Sequence, residues 1–243
     1  MDVLDDLAAE EDRIDAILAA LDDRGWATPS LAQGWSVCDV VLHLAQTEEA
    51  AAASVASPVD ERWQAGERRG VDGLVDRMVT GERAAPAEVL DRWRRACRAF
   101  LDAARRADPT RLVRWVGGSF KPATLATTRL AEHWAHGLDI AEPLGAPFPD
   151  TDRLRHIAWL AHRTLPYSFR LAGHDPADVY CELTGPGGDV WRFGPPGAPS
   201  SIRGPAGAFC RVGAQRLSPA DSGLVTNGPH GATALALLRN YAA

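Results

Sequence analysis

The chain has 243 residues, which corresponds to one or two domains at roughly 150 residues per domain. Apolar residues make up 46% of it and charged residues 24%, a composition that excludes disordered, collagen-like and disulfide-stapled chains. The net charge of −6 gives no general attraction to a phosphate backbone, so we expect no nucleic-acid partner.

The N-terminal residues and the cysteines indicate the cellular compartment. Residues 1–6 are acidic, whereas a signal peptide would begin with basic residues. No uncharged apolar run approaches the roughly 18 residues that a membrane helix needs. The four cysteines are widely spaced and form no C-x-x-C pair, which favours reduced thiols. We therefore expect a soluble cytoplasmic protein with no membrane partner. The pattern shows no clear exposed seam, so the sequence leaves a monomer and a homodimer both open.

The first two predicted helices carry clear start or stop signals. Apolar residues recur at helical spacing over residues 2–24 beside an acidic face, and Gly25 fits the end of that helix. A second helix is predicted to begin at Ser36, which can cap it, with Asp39 at the capping-box position. This helix should continue through an alanine-rich stretch to about residue 58.

The remainder of the first part also reads as helical, with one irregular piece and one loop. Pro166 should kink or break the last helix. The predicted segments are an irregular piece at 60–80, a helix at 86–107, a loop at 112–121 and helices at 122–142 and 151–171.

After about residue 174 the chain becomes rich in glycine and proline and contains short runs typical of strands. The strands are predicted at 178–184, 190–193 and 201–203, with helical patches at 205–213 and 229–241. The predicted fold class is therefore α+β, with a helical bundle at 1–174 followed by a small α+β domain at 175–243.

The most informative stretch for chemistry is residues 129–139. On a helix, Glu132 and His136 lie four residues apart with their Cβ atoms about 6 Å apart, and Arg129 and Asp139 share that face. A carboxylate and an imidazole at this spacing can bind one divalent metal ion. Two ligands alone leave the ion too exposed, so a third must come from another element.

His43 is the best candidate for the third ligand. It lies in the middle of a predicted helix, inside an apolar run, and should point inward. Asp39, one turn earlier, could accept the second imidazole N–H and fix its tautomer. With Glu132 and His136 this makes a set of three ligands with an open position, as in catalytic metal sites, and facing helices of a bundle often build such sites.

Other interpretations of the same residues remain open at this stage. His43 could be a hydrogen-bonded core residue, and Glu132 with His136 an ordinary surface pair. His133 and His136 could instead be the two ligands, with Glu132 exposed. Arg129 could bind an anionic substrate group or merely pair with Glu132.

Two motifs resemble a known family. Residues 34–44, with Gly34-Trp35-Ser36-Val37 before His43, and residues 132–140 resemble the DinB-like metal-binding bundles. In particular they resemble the N-terminal domain of the mycothiol-dependent maleylpyruvate isomerase family. Residues 183–194 are similar to the small sterol-carrier-like α+β domain often attached to such bundles.

The resemblance implies a site and two cofactors. It implies a divalent metal, zinc first, with nickel, iron or cobalt as alternatives, at His43, Glu132 and His136, and so decides against the set with His133. It also implies a low-molecular-weight thiol and a small-molecule substrate. In the family an arginine of the C-terminal domain completes the active site, and Arg211 and Arg216 are the nearest candidates here, beside Arg129.

The function implied is that of a thiol-dependent isomerase or transferase, or of a relative adapted to lyase or cyclisation chemistry. In the family mechanism a metal-bound thiolate adds to a conjugated double bond, the new single bond rotates, and elimination gives the other isomer. The alternative is a regulator that binds a metal or ligand without turnover. Open coordination favours the enzyme, because structural ions usually have four protein ligands.

Overall fold

The structure, a computed structural model, describes residues 2–56, 71–115 and 118–240. The chain folds as two compact units, of which the first ends at Phe148 and the second begins at Pro149. Within the described ranges, no helix combines the length and apolar character needed to cross a membrane.

The first unit is helical apart from one short antiparallel hairpin. In the residues that the structure describes, its elements are α1 (Val3–Leu18), α2 (Asp23–Ala27), α3 (Val37–Ala56), α4 (Val71–Gly81), α5 (Pro86–Arg106), β1 (Val113–Trp115), β2 (Gly118–Phe120) and α6 (Pro122–Ala141). Helix α3 packs against α5 and α6, and α1 packs against α6 and α5. The core forms because α3 is buried on nearly every side, so that its apolar residues face both neighbours.

The start of α3 is fixed by the predicted capping box. The Ser36 backbone N–H and hydroxyl both donate to Asp39 Oδ2, at 3.0 and 2.8 Å, and the Asp39 N–H donates back to the Ser36 hydroxyl. Arg83, after α4, binds both oxygens of Asp39 at 2.7 and 3.1 Å. These bonds set where α3 begins, and therefore where the residues along it face.

The second unit combines a four-stranded mixed sheet with three helices in the described part of the chain. Its elements are α7 (Leu154–Leu171), β3 (Val179–Thr184), β4 (Val190–Phe193), β5 (Ser200–Pro205), α8 (Ala206–Gly213), β6 (Val225–Asn227) and α9 (Gly231–Ala236). The strand order is β4-β3-β5-β6, in which β3 and β5 are parallel and the outer pairs are antiparallel.

The predicted α+β fold class, with helices first, is confirmed. The division between units differs from the predicted boundary after residue 174, because α7 belongs to the second unit. Helix α7 packs against α8, and the Cys210 thiol donates to the Leu154 carbonyl at 3.6 Å. Its apolar stripe is therefore buried by the elements that follow it in the chain.

Several predicted element bounds also differ from the structure. The first helix ends at Leu18 rather than at residue 24, because Asp22 caps a separate helix through the Gly25 N–H at 2.9 Å. Helix α7 continues through Pro166 without a break. The predicted loop at 112–121 contains the hairpin of β1 and β2, and β6 was not predicted. Residues 57–70, with the start of the predicted irregular piece, lie outside the described residues.

Candidate metal centre

The three predicted ligands converge although they come from two helices. His43 on α3 places Nε2 2.9 Å from Oε1 of Glu132 on α6. The His43 and His136 rings meet edge to face with centroids 5.0 Å apart. One ligand atom from each of the three residues lies within 4.8 Å of the other two, which is close enough for all three to bind one ion.

The ligand side chains are mostly buried but keep some exposed surface. The exposed fractions of the side chains are 10% for His43, 27% for Glu132 and 14% for His136. The Trp35 ring lies beside His43, with centroids 5.2 Å apart. Three protein ligands would leave at least one coordination position of an ion to another molecule, as a catalytic metal site requires.

Asp139, one turn after His136, orients that imidazole. The His136 Nδ1 lies 2.9 Å from Oδ2 of Asp139, whose side chain is fully buried. With Nδ1–H donated to this carboxylate, the Nε2 lone pair is the one available to a metal. The expectation that Asp39 would do the same for His43 is wrong, because its oxygens bind Ser36 and Arg83.

Arg129 lies beneath the ligands with no exposed surface. It donates through Nη1 to Oε2 of Glu132 at 2.6 Å and through Nε to Oε1 of Glu48 at 2.7 Å. Its Nη2 donates to the Thr47 hydroxyl at 2.7 Å. Of the two roles considered for Arg129, these contacts match pairing with Glu132. The Arg129 guanidinium does not face solvent, where an anionic substrate group would meet it.

The protonation states of the two contacting ligands suit a metal ion. Burial by itself would raise the pKa of Glu132, but the Arg129 charge and the His43 hydrogen bond hold that pKa well below its ordinary value. Burial lowers the pKa of His43, against the opposing effect of Glu132. The pair therefore favours an ionised carboxylate and a neutral imidazole, which are the forms that bind metals.

The charged groups around the ligands also bear on the fit. Glu132 and Glu48 both contact the Arg129 guanidinium, and Asp139 contacts His136. Of the three ligands, Glu132 offers a carboxylate oxygen and the two histidines offer imidazole nitrogens, a donor set typical of catalytic zinc. By donor type and orientation, the residues present fit a bound divalent metal.

His133 points away from this set. Its Nδ1 lies 3.0 Å from the Arg129 carbonyl, and its Nε2 accepts from the Trp93 indole N–H at 3.1 Å. Burial and the Arg129 charge lower the pKa of His133 to about 3. Both ring nitrogens of this neutral imidazole are thus satisfied inside the core, and the alternative of His133 with His136 as ligands has no support in the geometry.

The sequence that builds this centre matches a known protein family. The family model described as Mycothiol maleylpyruvate isomerase N-terminal domain matches residues 7–141, more than half of the chain and the stretch that contains all three predicted ligands. The chain belongs to this family. The resemblance seen in the two sequence motifs is confirmed.

Two relatives are similar to this chain over most of its length. Two proteins of Mycobacterium tuberculosis, uncharacterized protein MT0041 of strain CDC 1551 / Oshkosh and uncharacterized protein Rv0036c of strain H37Rv, are each 38% identical to it over 216 residues. Each match covers 87% of this chain and 84% of the relative.

Two crystal structures of the mycothiol-dependent maleylpyruvate isomerase, one of them of a mutant, share the fold. The TM-scores are 0.64 for the mutant and 0.59 for the other, each at 15% identity over 93% of this chain and 91% of that one. At this identity the likeness shows the fold alone, and it includes the α+β part as well as the helical part.

The two arginines that the family resemblance singles out lie in the second unit. Arg211 on α8 binds both oxygens of Asp150, at 2.7 and 2.9 Å. Arg216 follows α8 and donates through Nη1 to the Ala214 carbonyl at 2.8 Å. Their catalytic role stays a prediction.

Sequence reasoning did not find Glu48 and Thr47, the residues that hold Arg129. Glu48 lies five residues after His43, in a stretch where an alanine-rich pattern reads only as helix. No local spacing connects it with Arg129, which is 81 residues away in the sequence. The local signal for a distant partner was that the sequence holds no lysine or arginine between residues 25 and 61, and a carboxylate on an inward-facing helix needs one.

Proposed function

We propose that this chain is a metal-dependent, thiol-dependent isomerase that acts on a small unsaturated organic acid. The observation that carries the proposal is the convergence of His43, Glu132 and His136 within 4.8 Å, with all three partly open to solvent. Family membership supports the same reaction class, since the family model is named for the mycothiol-dependent maleylpyruvate isomerase.

Each residue of the centre has a defined task in this proposal. A divalent ion held by the three ligands would favour ionisation of a thiol and polarise a substrate carbonyl. Glu132 supplies the one anionic ligand, while His43 and His136 bind as neutral imidazoles. Asp139 accepts the hydrogen bond from His136 Nδ1–H and so keeps the proton on that nitrogen. Arg211 and Arg216 are proposed as cations for the carboxylate of the substrate.

The site is tested by the metal content of the purified, untagged protein. We expect about one equivalent of divalent metal per chain, and loss of most of it in His43→Ala, Glu132→Ala and His136→Ala. His174→Ala, which removes an exposed histidine of the second unit, is the matched control and should keep the metal. Stoichiometric metal in all three ligand variants would show that these residues do not form the site.

The reaction class is tested separately with the cobalt-substituted protein. A low-molecular-weight thiol that binds the ion should add a sulfur-to-cobalt charge-transfer band, and unsaturated acids should isomerise only when that thiol is present. Retained metal with no turnover of any such acid, with or without thiol, would favour the regulator over the enzyme.

A further inference from the structure

Glu132 is the one ligand of the candidate centre that can turn either of two equivalent oxygens toward the ion. In the structure the choice is already made: Oε2 accepts from Arg129 at 2.6 Å, and Oε1 faces His43 at 2.9 Å. We propose that Arg129 and Glu48 form a positioning pair that holds Glu132 in this orientation. The inference rests on the proposed metal centre and adds two residues to it.

Arg129 can serve as a rigid support because it is itself held on several sides. Its planar fork reaches Glu48 and Thr47 at 2.7 Å each, in addition to Glu132. The guanidinium carbon lies 5.6 Å from the centre of the Trp115 ring. The side chains of Arg129 and Glu48 are both 0% exposed, so water does not screen their contact.

The pair also connects the two helices that carry the ligands. Thr47 and Glu48 follow His43 by about one turn on α3, and Arg129 precedes Glu132 by three residues on α6. Hydrogen bonds from Arg129 to α3 therefore tie the helices together next to the ligand atoms. The separation between His43 and Glu132 depends on this connection.

Charge explains why the support needs Glu48 as well as Arg129. A lone guanidinium against Glu132 would repel a divalent cation bound to the same carboxylate. Glu48, in contact with the other edge of the guanidinium, offsets that positive charge while Arg129 keeps its hydrogen bond to Glu132. Removing only the charge of Glu48 should therefore weaken metal binding even if the fold is unchanged.

The test is a cobalt(II) titration of the full-length apoprotein, with a competing chelator and the visible spectrum as readouts. Glu48→Gln keeps the shape of the side chain and should lower cobalt affinity about 10- to 100-fold, as loss of a residue that orients a ligand typically does. The double variant Glu48→Gln with Arg129→Met removes the two fully buried charges together and leaves Glu132 in contact with His43, and it should show a similar loss with shifted cobalt bands.

Matched controls separate positioning from general damage. Arg94→Lys breaks a similar two-bond pair between α5 and Asp15 of α1, away from the centre, and should leave cobalt affinity unchanged. Melting temperatures of the apoproteins report whether each variant folds. If neither Glu48 variant folds, Thr47→Val removes one of the bonds to Arg129 and should give a smaller loss of affinity.

The outcomes distinguish this inference from the centre itself. Loss of cobalt in His43→Ala together with unchanged affinity and spectrum in folded Glu48→Gln and in the double variant would overturn the positioning pair and leave the centre standing. Wild-type cobalt affinity in His43→Ala would overturn the centre, and the pair with it.

Discussion

Glu11 on α1 is a buried carboxyl group, and its surroundings in the folded protein favour the protonated form. Its exposed fraction is 6%, and burial, followed by the nearby charge of Glu48, raises the pKa of Glu11 to about 9. It forms a compact cluster with Cys97 and His133, with ligand atoms within 4.8 Å of one another. Since Trp93 already donates to the His133 Nε2, the cluster is best described as a neutral part of the core.

Glu11→Gln should make stability less sensitive to pH in a defined direction. The folded-state pKa of about 9 lies above the ordinary value of 4.5, so the folded state binds more protons between these values. Wild-type stability must then fall as pH rises through that window, by up to about 1.4 kcal/mol per pH unit, while the neutral amide has no such dependence. The measurement is urea unfolding of the apoprotein from pH 5 upward.

An exposed carboxyl group provides the control for this prediction. Glu88→Gln, at the start of α5, should change the free energy of unfolding by nearly the same amount at every pH in the window. For Glu11→Gln the gain over wild type should increase steadily with pH. A gain that stays constant would mean that Glu11 is ionised in the folded protein.

At the scale of the helices and strands, the features that local sequence patterns encode were predicted better than the contacts between residues far apart in the chain. The capping box at Ser36 and Asp39 and the ligand spacing of Glu132 and His136 are both local patterns, and the structure contains both. The convergence of His43 with them required the resemblance as well as the pattern. Arg83, which binds Asp39 from 44 residues away, had no local signal.

Tertiary packing also determines where some helices and strands begin and end, which local composition does not. The predicted loop at 112–121 contains a hairpin in which Val113 pairs with Phe120. The Val113 side chain is buried, and this burial favours the hairpin. Helix α7 keeps its course through Pro166 because its buried residues continue on both sides, up to Phe169. Tertiary burial here outweighs the local preference of glycine and proline to interrupt an element.

Gly137 on α6 lies where Phe148, the last residue of the first unit, closes over the helix. A Cβ at position 137 would come within 2.8 Å of Cε1 of the Phe148 ring. The guanidinium of Arg13 covers that ring at 4.1 Å, which limits how far the ring can move. We expect Gly137→Ala to destabilise the protein by about 1 kcal/mol, as overpacking of about 1–3 kcal/mol exceeds a helix-propensity gain of up to about 1 kcal/mol.

Removing the ring should reverse the sign of this effect. In a Phe148→Ala background, Gly137→Ala meets no ring and should stabilise the protein by up to about 1 kcal/mol through helix propensity alone. A double-mutant cycle from chemical unfolding measures both values. Equal effects of Gly137→Ala in the two backgrounds would show that Phe148 does not restrict this position.

At the scale of the whole molecule, the candidate metal ligands and the described residues that hold them belong to the first unit. His43, Glu132, His136 and their partners Asp139 and Arg129 lie before Phe148, where that unit ends. The family model ends at residue 141, so it covers this set without the second unit. Metal binding should therefore be a property of the first unit by itself.

A fragment of residues 1–148 should bind cobalt(II) with the affinity of the full chain, to within a few-fold, because the three ligands and the described bonds from Asp139, Arg129 and Glu48 are kept. Ending at residue 148 also retains the ring that packs against Gly137 and Arg13. The measurement is chelator competition, with circular dichroism to confirm that the fragment is folded and with the fragment carrying His43→Ala as control. A folded fragment that binds cobalt more than about tenfold more weakly than the full chain, a loss of about 1.4 kcal/mol, would mean that residues after 148 contribute to the centre.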